Sequence, residues 1–403
     1  MSYESLKQLP LATKQYALIT FNYWAFTLTD GALRMLIVLH FYQLGYSPLN
    51  IALLFVFYEL FGVVTNLVGG WLGARIGLNK TMNIGLIMQV CALLMLAVPE
   101  NHLVIYWVML AQALSGIAKD LNKMSAKSSI KVLVAENDQS GLFKWIALLT
   151  GSKNALKGVG FFLGALLLST IGFKGAMLLM AAILFMVALL SLYLLKKELG
   201  KASYKPKFTE LFSHSSSLNN LAVARMTLFA ARDVWFVVAL PVFLANQLHW
   251  EHDVVGVFMA CWIILYGIVQ TLSPKITGKS HGILPNGKML SFWAFLLVAI
   301  ITGIVLSLYL MSSTTLIIVI GLLVFAVVFA VNSSLHSYVI IALAKVDGVS
   351  MDVGFYYMAN AMGRLLGTVL SGVVFQLYGL ESCLIISAFL AFISAIFIKK
   401  VSL

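Results

Sequence analysis

The side chains that could do chemistry in this chain are ionisable groups set inside long apolar stretches. Eight are basic, namely Arg34, Lys119, Lys123, Lys153, Lys157, Arg225, Arg232 and Arg364, and four are acidic, Asp30, Glu59, Asp120 and Asp233. Placing Lys, Arg or Asp at the centre of a bilayer costs about 2.5–3.5 kcal/mol even on lenient scales, so such residues face water or a counter-ion. A fixed excess of positive charge in a poorly polarisable cavity calls for an anion. Guanidinium forks match phosphate and carboxylate geometry at two points, whereas lysine acts as a point charge. The expected ligand is a small organic polyanion such as a phosphorylated acid, and the eight basic residues are the candidate substrate-binding set. A hydrophobic drug or a cation would suit such a cavity poorly.

Spacing sharpens the assignment. Asn22, Phe26, Asp30 and Arg34 step by four and share one helical face. Asp30 and Arg34 can also pair with each other at that spacing, a purely structural alternative. Arg225 and Arg232 are seven apart, and Asn360, Arg364 and Ser371 form a similar stripe. Lys119, Lys123, Lys127 and Lys131 also step by four; the last two suit a cytoplasmic helix end, where lysines collect as topology signals. Lys153 and Lys157 lie mid-span, among Gly151, Gly158, Gly160 and Gly164, which let helices approach closely. Asp30 and Glu59 are the candidates for proton coupling, since a partly desolvated carboxylate can titrate near neutral pH; permanent pairing with arginine is the competing role. His40 and His336 fall near span ends as packed polar residues, and His249 and His252 flank a short loop.

Several classes are excluded. Cys91, Cys261 and Cys383 stand singly in apolar segments, without metal-ligand spacing or a disulfide framework, so neither metal nor cofactor is expected. No acid–base cluster converges at one membrane face, as a lipid-modifying enzyme would need. A sensor or scaffold would leave the buried basic residues unexplained.

The elements that hold these residues are helices. Hydrophobic residues make up 61% of the chain and charged residues only 10%, against about 25% charged in a soluble domain. Apolar runs of bilayer length recur throughout. Spans are expected near 16–40, 49–71, 81–98, 103–125, 143–170, 175–195, 220–245, 254–273, 289–311, 314–340, 353–378 and 383–398. Lys and Arg cluster in alternate loops, which places both termini and the central loop in the cytoplasm. The polar stretch 196–217 divides the chain into an N-terminal six-helix half, 1–195, and a C-terminal one, 218–403. LGYSPLNIALLFVFYELFG echoes LHWEHDVVGVFMACWIILYG at an offset of roughly 204 residues, as expected of a duplicated transporter with its site at the midplane between the halves.

The segment GGWLGARIGLNKT resembles the loop motif of major facilitator transporters through Gly70, Leu72, Arg75, Gly77 and Lys80, with Ala74 where the motif is acidic. That resemblance implies an all-α major facilitator fold of twelve transmembrane helices in two pseudo-symmetric halves. In it, spans three, six, nine and twelve are peripheral, and here those four carry no Lys, Arg, Asp or Glu. More specifically, NYWAFTLTDGALRMLIVLHFYQLGYSPL, LFGVVTNLVGGWLGARIGLNKTMN, QALSGIAKDLNKMSAKSSIK, WIALLTGSKNALKGVGFFLG and FAARDVWFVVALPVFL resemble the ArsJ family of organoarsenical efflux permeases. The resemblance covers most of the chain and is densest from about 20 to 280. It implies arsenate resistance through export of 1-arseno-3-phosphoglycerate across the cell inner membrane. The same resemblance implies a functional link to glyceraldehyde-3-phosphate dehydrogenase, which makes that ester when arsenate replaces phosphate. An organophosphate/phosphate antiporter, or a carrier of another organic anion, would use the same basic residues and is the alternative.

Overall fold

The computed structural model describes residues 11–46, 54–134, 138–195, 199–203, 215–250, 252–278, 285–310 and 313–402. Apolar runs of this length fold as helices because in hydrocarbon every backbone N–H and C=O must be bonded within its own segment. The helices, in chain order, are α1 (Leu11–Gln43), α2 (Val56–Ile76), α3 (Leu78–Leu96) and α4 (Ile105–Leu133). Next comes the continuous stretch Gln139–Leu194, which Gly172 breaks with φ 72° into α5 (139–171) and α6 (173–194). Then follow α7 (Ser216–Phe236, resuming as Ala239–Asn246), α8 (His252–Ile276), α9 (Gly287–Leu310) and α10 (Thr314–Leu343). The last stretch, Val349–Lys399, is divided at Gly379, φ 78°, into α11 (349–378) and α12 (380–399). Both breaks need the left-handed backbone that glycine adopts without steric cost.

The twelve expected spans are thus twelve helices among the described residues, with shifted ends. The beginning of the second expected span, 49–53, lies outside the described residues. The fourth runs on to Leu133 rather than ending at 125, so Lys127 and Lys131 are helical. Lys127 is only 4% exposed, so it is no solvated terminal lysine. Among the described residues eight helical stretches are long and apolar enough to cross a membrane, two of them being the glycine-broken pairs. The chain is a multi-pass membrane protein.

Two compact units emerge from the backbone contacts. One contains Met1–Trp145, Leu156–Phe212 and Ala344–Phe355; the other contains Ile146–Ala155, Ser213–Leu343 and Tyr356–Leu403. Within the first, α1 and α5 meet at Gly31 and Gly160: a Cβ on Gly31 would lie 2.8 Å from the Lys157 carbonyl oxygen. The start of α11 also belongs to this unit and lies on α2. Ser350 Oγ donates to the Gly70 carbonyl oxygen at 2.7 Å, and a Cβ on Gly70 would come within 2.9 Å of Gly354 Cα. A strap formed by 199–203 ties the α2–α3 turn to this segment. Leu78 N–H donates to Leu199 O and Ala202 N–H to Ala74 O, each at 2.8 Å. Ser203 donates to Asp347 through its N–H, at 2.8 Å, and through its hydroxyl. Ala74 and Ala202 share a small core with Met351, so the place that is acidic in the facilitator loop motif is filled here by an apolar contact.

Candidate functional site

The ionisable residues gather into one cluster in each unit. In the first unit, α1, α2 and α4 supply it. The α2–α4 approach is close because Gly116 faces the α2 backbone, where an added Cβ would lie 2.5 Å from Tyr58 O. Tyr58, which no charge count selects, sits at the centre and is fully buried. Its hydroxyl donates to Asp30 Oδ1 at 2.5 Å. Its ring centroid lies 4.2 Å from the Arg34 guanidinium carbon and 3.9 Å from Lys119 Nζ. Cation–π attraction of this kind strengthens where water is excluded. Arg34 Nη2 reaches Glu59 Oε1 at 2.9 Å. Asp120, 2% exposed, holds Lys123 Nζ at 2.5 Å and Lys119 Nζ at 3.8 Å. Gly62 leaves room for that carboxylate, since a Cβ there would lie 2.9 Å from Asp120 Oδ2.

This pattern answers one question that spacing left open. Arg34 takes its carboxylate from Glu59 on the next helix, and Asp30 is bonded by Tyr58. Both proton-coupling candidates are therefore engaged, Glu59 with a guanidinium and Asp30 with a phenol. Arg34, Lys119 and Lys123 face Asp30, Glu59 and Asp120, three cations against three carboxylates. Lys157, half-buried on α5 of the same unit, has its ammonium 5.7 Å from the Phe161 ring centroid.

The second unit is built differently. Arg225, 3% exposed, donates from Nε to Asn360 Oδ1 at 2.8 Å and from Nη1 to Ser333 O and Oγ at 3.1 Å. Its guanidinium carbon lies 4.0 Å from the Phe229 ring centroid and 5.4 Å from that of Tyr356. Neutral groups continue the network: Tyr266 donates to Ser333 Oγ at 2.9 Å, Gln270 to the Tyr266 hydroxyl at 2.9 Å, and Asn154 to Gln270 Oε1 at 2.6 Å. Asn154 brings α5 into this network, and its neighbour Lys153 is half-buried there. Arg232 is ringed by Phe229, Phe236 and Phe329, with centroids at 4.8, 5.8 and 5.5 Å. Its Nε lies 2.5 Å from Asp233 Oδ1. Arg364 Nε stands 3.5 Å from Asp233 Oδ2. Among the described residues the second unit thus holds three arginines in this cluster, two of them, Arg232 and Arg364, on Asp233 and the third, Arg225, on neutral oxygens. The excess of basic over acidic groups counted along the chain falls mostly here.

Charge placement in apolar sequence was a signal strong enough to find every charged member of both clusters. It missed the neutral members Tyr58, Tyr266, Gln270, Ser333 and Asn154. Their signal was present as polar atoms in apolar runs, notably NSSLHS at 332–337, where Asn332, Ser333, Ser334, His336 and Ser337 are all buried. His40 stacks on Phe173 with centroids 4.1 Å apart, a packed residue as expected. Among the described residues no three His, Cys, Asp or Glu side chains gather as a metal site.

Comparison with known proteins places this architecture. A family model described as Major Facilitator Superfamily matches residues 19–338. No curated protein matches the sequence. Among solved structures, the E. coli fucose:proton symporter superposes with a TM-score of 0.74 at 13% identity, covering 98% of this chain and 100% of its own. A bacterial homologue of the iron transporter ferroportin, in an outward-facing state, superposes with a TM-score of 0.75 at 12% identity, covering 97% and 99%. The human organic anion transporter MFSD10 superposes with a TM-score of 0.73 at 16% identity, covering 97% and 100%. At these identities the likeness is one of fold.

Proposed function

The chain belongs to the Major Facilitator Superfamily and has its twelve-helix fold, and from that premise we propose that this transporter exports a small organic polyanion, 1-arseno-3-phosphoglycerate. The observation that carries the reading is the second unit's cluster of three arginines, of which only Arg232 and Arg364 have a carboxylate, Asp233, between them. Arg225 has neutral acceptors that leave its charge uncancelled, and Asp233 alone stands against Arg232 and Arg364, so the three arginines keep two positive charges in excess, which a guest with two anionic groups would balance. The long segments that resemble ArsJ permeases favour the arseno-ester among such guests. That molecule has a phosphate at one end and an arsenate ester at the other, hard oxyanion groups that suit guanidinium and ammonium partners rather than thiolates. The organic anion transporter among the fold neighbours is in keeping with an anionic cargo.

In this reading the protein sits in the inner membrane with both termini in the cytoplasm and works by alternating access. Arg34 is the candidate substrate anchor in the first half and Arg232 the candidate in the second. Lys119, Lys123, Lys153 and Lys157 extend the positive surface, with Arg225 and Arg364 in support. Asp30 and Glu59 are the candidates for proton coupling, the first bonded by Tyr58 and the second by Arg34. Glyceraldehyde-3-phosphate dehydrogenase is the functional partner that supplies the ester.

The test is arsenic uptake into everted vesicles containing the protein, given arsenate, glyceraldehyde-3-phosphate, NAD and the dehydrogenase, with each omitted in turn. Uptake that requires every component is the expected result. Uptake of arsenate alone would make the protein an oxyanion pump. No arsenic uptake, together with phosphate counterflow against 3-phosphoglycerate, would make it an organophosphate/phosphate antiporter.

A further inference from the structure

Asp233 is the residue of the second cluster that the transport reading does not yet use. It is 1% exposed, buried beneath two guanidiniums of graded accessibility: Arg232 at 15% and Arg364 at 35%. Its two oxygens are treated unequally. Oδ1 is held by Arg232 Nε at 2.5 Å. Among the described residues Oδ2 accepts no hydrogen bond, although Arg364 Nε is 3.5 Å away. A buried carboxylate oxygen without a hydrogen bond is costly, and such a group in a native structure needs a reason. Arg225, seven residues back on α7, shows the contrasting arrangement, with Asn360 and Ser333 supplying neutral acceptors and no carboxylate.

We propose that Asp233 is an internal stand-in for the substrate's anionic group, occupying Arg232 and Arg364 in the empty site and yielding them when a phosphate-type group arrives. The inference rests on the anion-transport reading and assigns Asp233 a role within it. Exposure orders the events: an incoming anion meets Arg364 first and can draw it from an Oδ2 that has not closed a hydrogen bond. The exchange also has a mechanical consequence inside the second unit. Asp233 lies at the crossing of α7 and α11, where a Cβ on Gly367 would come within 2.8 Å of Asp233 Cβ. A second tie between the same helices lies just beyond it, where Val238 and Ala239 N–H donate to Ser371 Oγ at 3.3 and 3.0 Å. Taking Arg364 away from Asp233 removes one of these ties, so occupancy of the arginines is coupled to how firmly α11 is held against α7.

Calorimetric titration of the purified protein with 3-phosphoglycerate and with inorganic phosphate tests the proposal. Asp233→Asn removes the internal competitor and should bind 3-phosphoglycerate at least about tenfold more tightly than the parent, since close charge pairs couple by about 1.5 kcal/mol or more. Its vesicle transport should show KM and kcat falling together, because a guest without a competitor is released slowly. If the parent binds and a folded Asp233→Asn protein binds equally or more weakly, Asp233 is only a structural support for the arginines and the stand-in role fails. If neither protein binds either anion, the anion-transport reading fails with it. A structure of the unmodified protein with 3-phosphoglycerate bound needs no substitution: the Arg364 Nε to Asp233 distance should open beyond about 4 Å, the limit of a close ion pair. An anion seated there with that pair intact would overturn the proposal.

Discussion

Asp120→Asn is the perturbation whose consequence the first cluster defines most sharply. The carboxylate is 2% exposed and takes Lys123 at 2.5 Å and Lys119 at 3.8 Å. At an effective dielectric constant near 20 those separations correspond to gross attractions of about 7 and 4 kcal/mol. Desolvation of the ions offsets much of this, and removing one partner of a buried pair costs about 3–5 kcal/mol because the other charge is left uncompensated. Asparagine keeps the shape and removes only the charge, so the loss should appear as a lower thermal midpoint and a smaller folded fraction in detergent. Adding Lys123→Met removes the charge that was stranded, leaving Lys119 against the Tyr58 ring. The double variant should regain at least about 2 kcal/mol, within the range of coupling seen for contacting residues. Thermal unfolding and SDS titration of the four proteins of the cycle measure this directly. If Asp120→Asn is as stable as the parent, or the double variant is no better than the single, Asp120 does not balance these lysines.

Three further outcomes are expected. Arg34→Ala or Arg232→Ala should abolish vesicle transport while the protein still inserts, whereas Lys399→Ala, at the exposed end of α12, should change transport less than about twofold, as surface substitutions usually do; normal export by both arginine variants would remove them from the site. Gly354→Leu sets a Cβ about to collide with Asn66 O at 2.6 Å and Gly70 Cα at 2.8 Å, both backbone, so α2 and the start of α11 must part; a destabilisation of about 1–3 kcal/mol by thermal unfolding is expected, and none would mean that the contact is not kept in the membrane protein. The hydrogen bonds from Ser203 hold the Asp347 carboxyl below the ordinary carboxylate range; a depressed carboxylate stabilises above that range and loses its effect as pH falls through the folded value, so the stability difference between parent and Asp347→Asn should be present at pH 7 and should fade only as the pH drops below the ordinary carboxylate range. A difference independent of pH would show that the strap does not depend on that charge.

How much of this was legible in sequence depends on which physical rule acts at each place. The helices were legible because a bilayer permits a backbone little else. The end of α4 was misplaced because Lys119, Lys123, Lys127 and Lys131 form one helical stripe, and four lysines at a helix end look like a topology signal. The helix continues past them and buries Lys127. Pairing was the harder question. Asp30 and Arg34 have the spacing of a local pair, yet Arg34 reaches Glu59 on α2 while Tyr58 takes Asp30, a choice among partners on another helix that spacing within one helix does not decide. Tyr58 was hidden among many aromatics, and only its position beneath both Arg34 and Lys119 sets it apart.

The same distinction governs the functional argument. A count along the chain finds eight cations and four carboxylates but cannot say which cations are already answered. In the first unit Lys119 and Lys123 share the buried Asp120, and removing that carboxylate should first be felt as lost stability. In the second, Arg225 is satisfied by neutral oxygens while Arg232 and Arg364 share Asp233. On the anion-transport proposal, the electrostatic demand for a guest therefore falls on α7 and α11. Variants of that pair of helices should shift substrate affinity before they shift folding, the reverse of the order expected for α2 and α4.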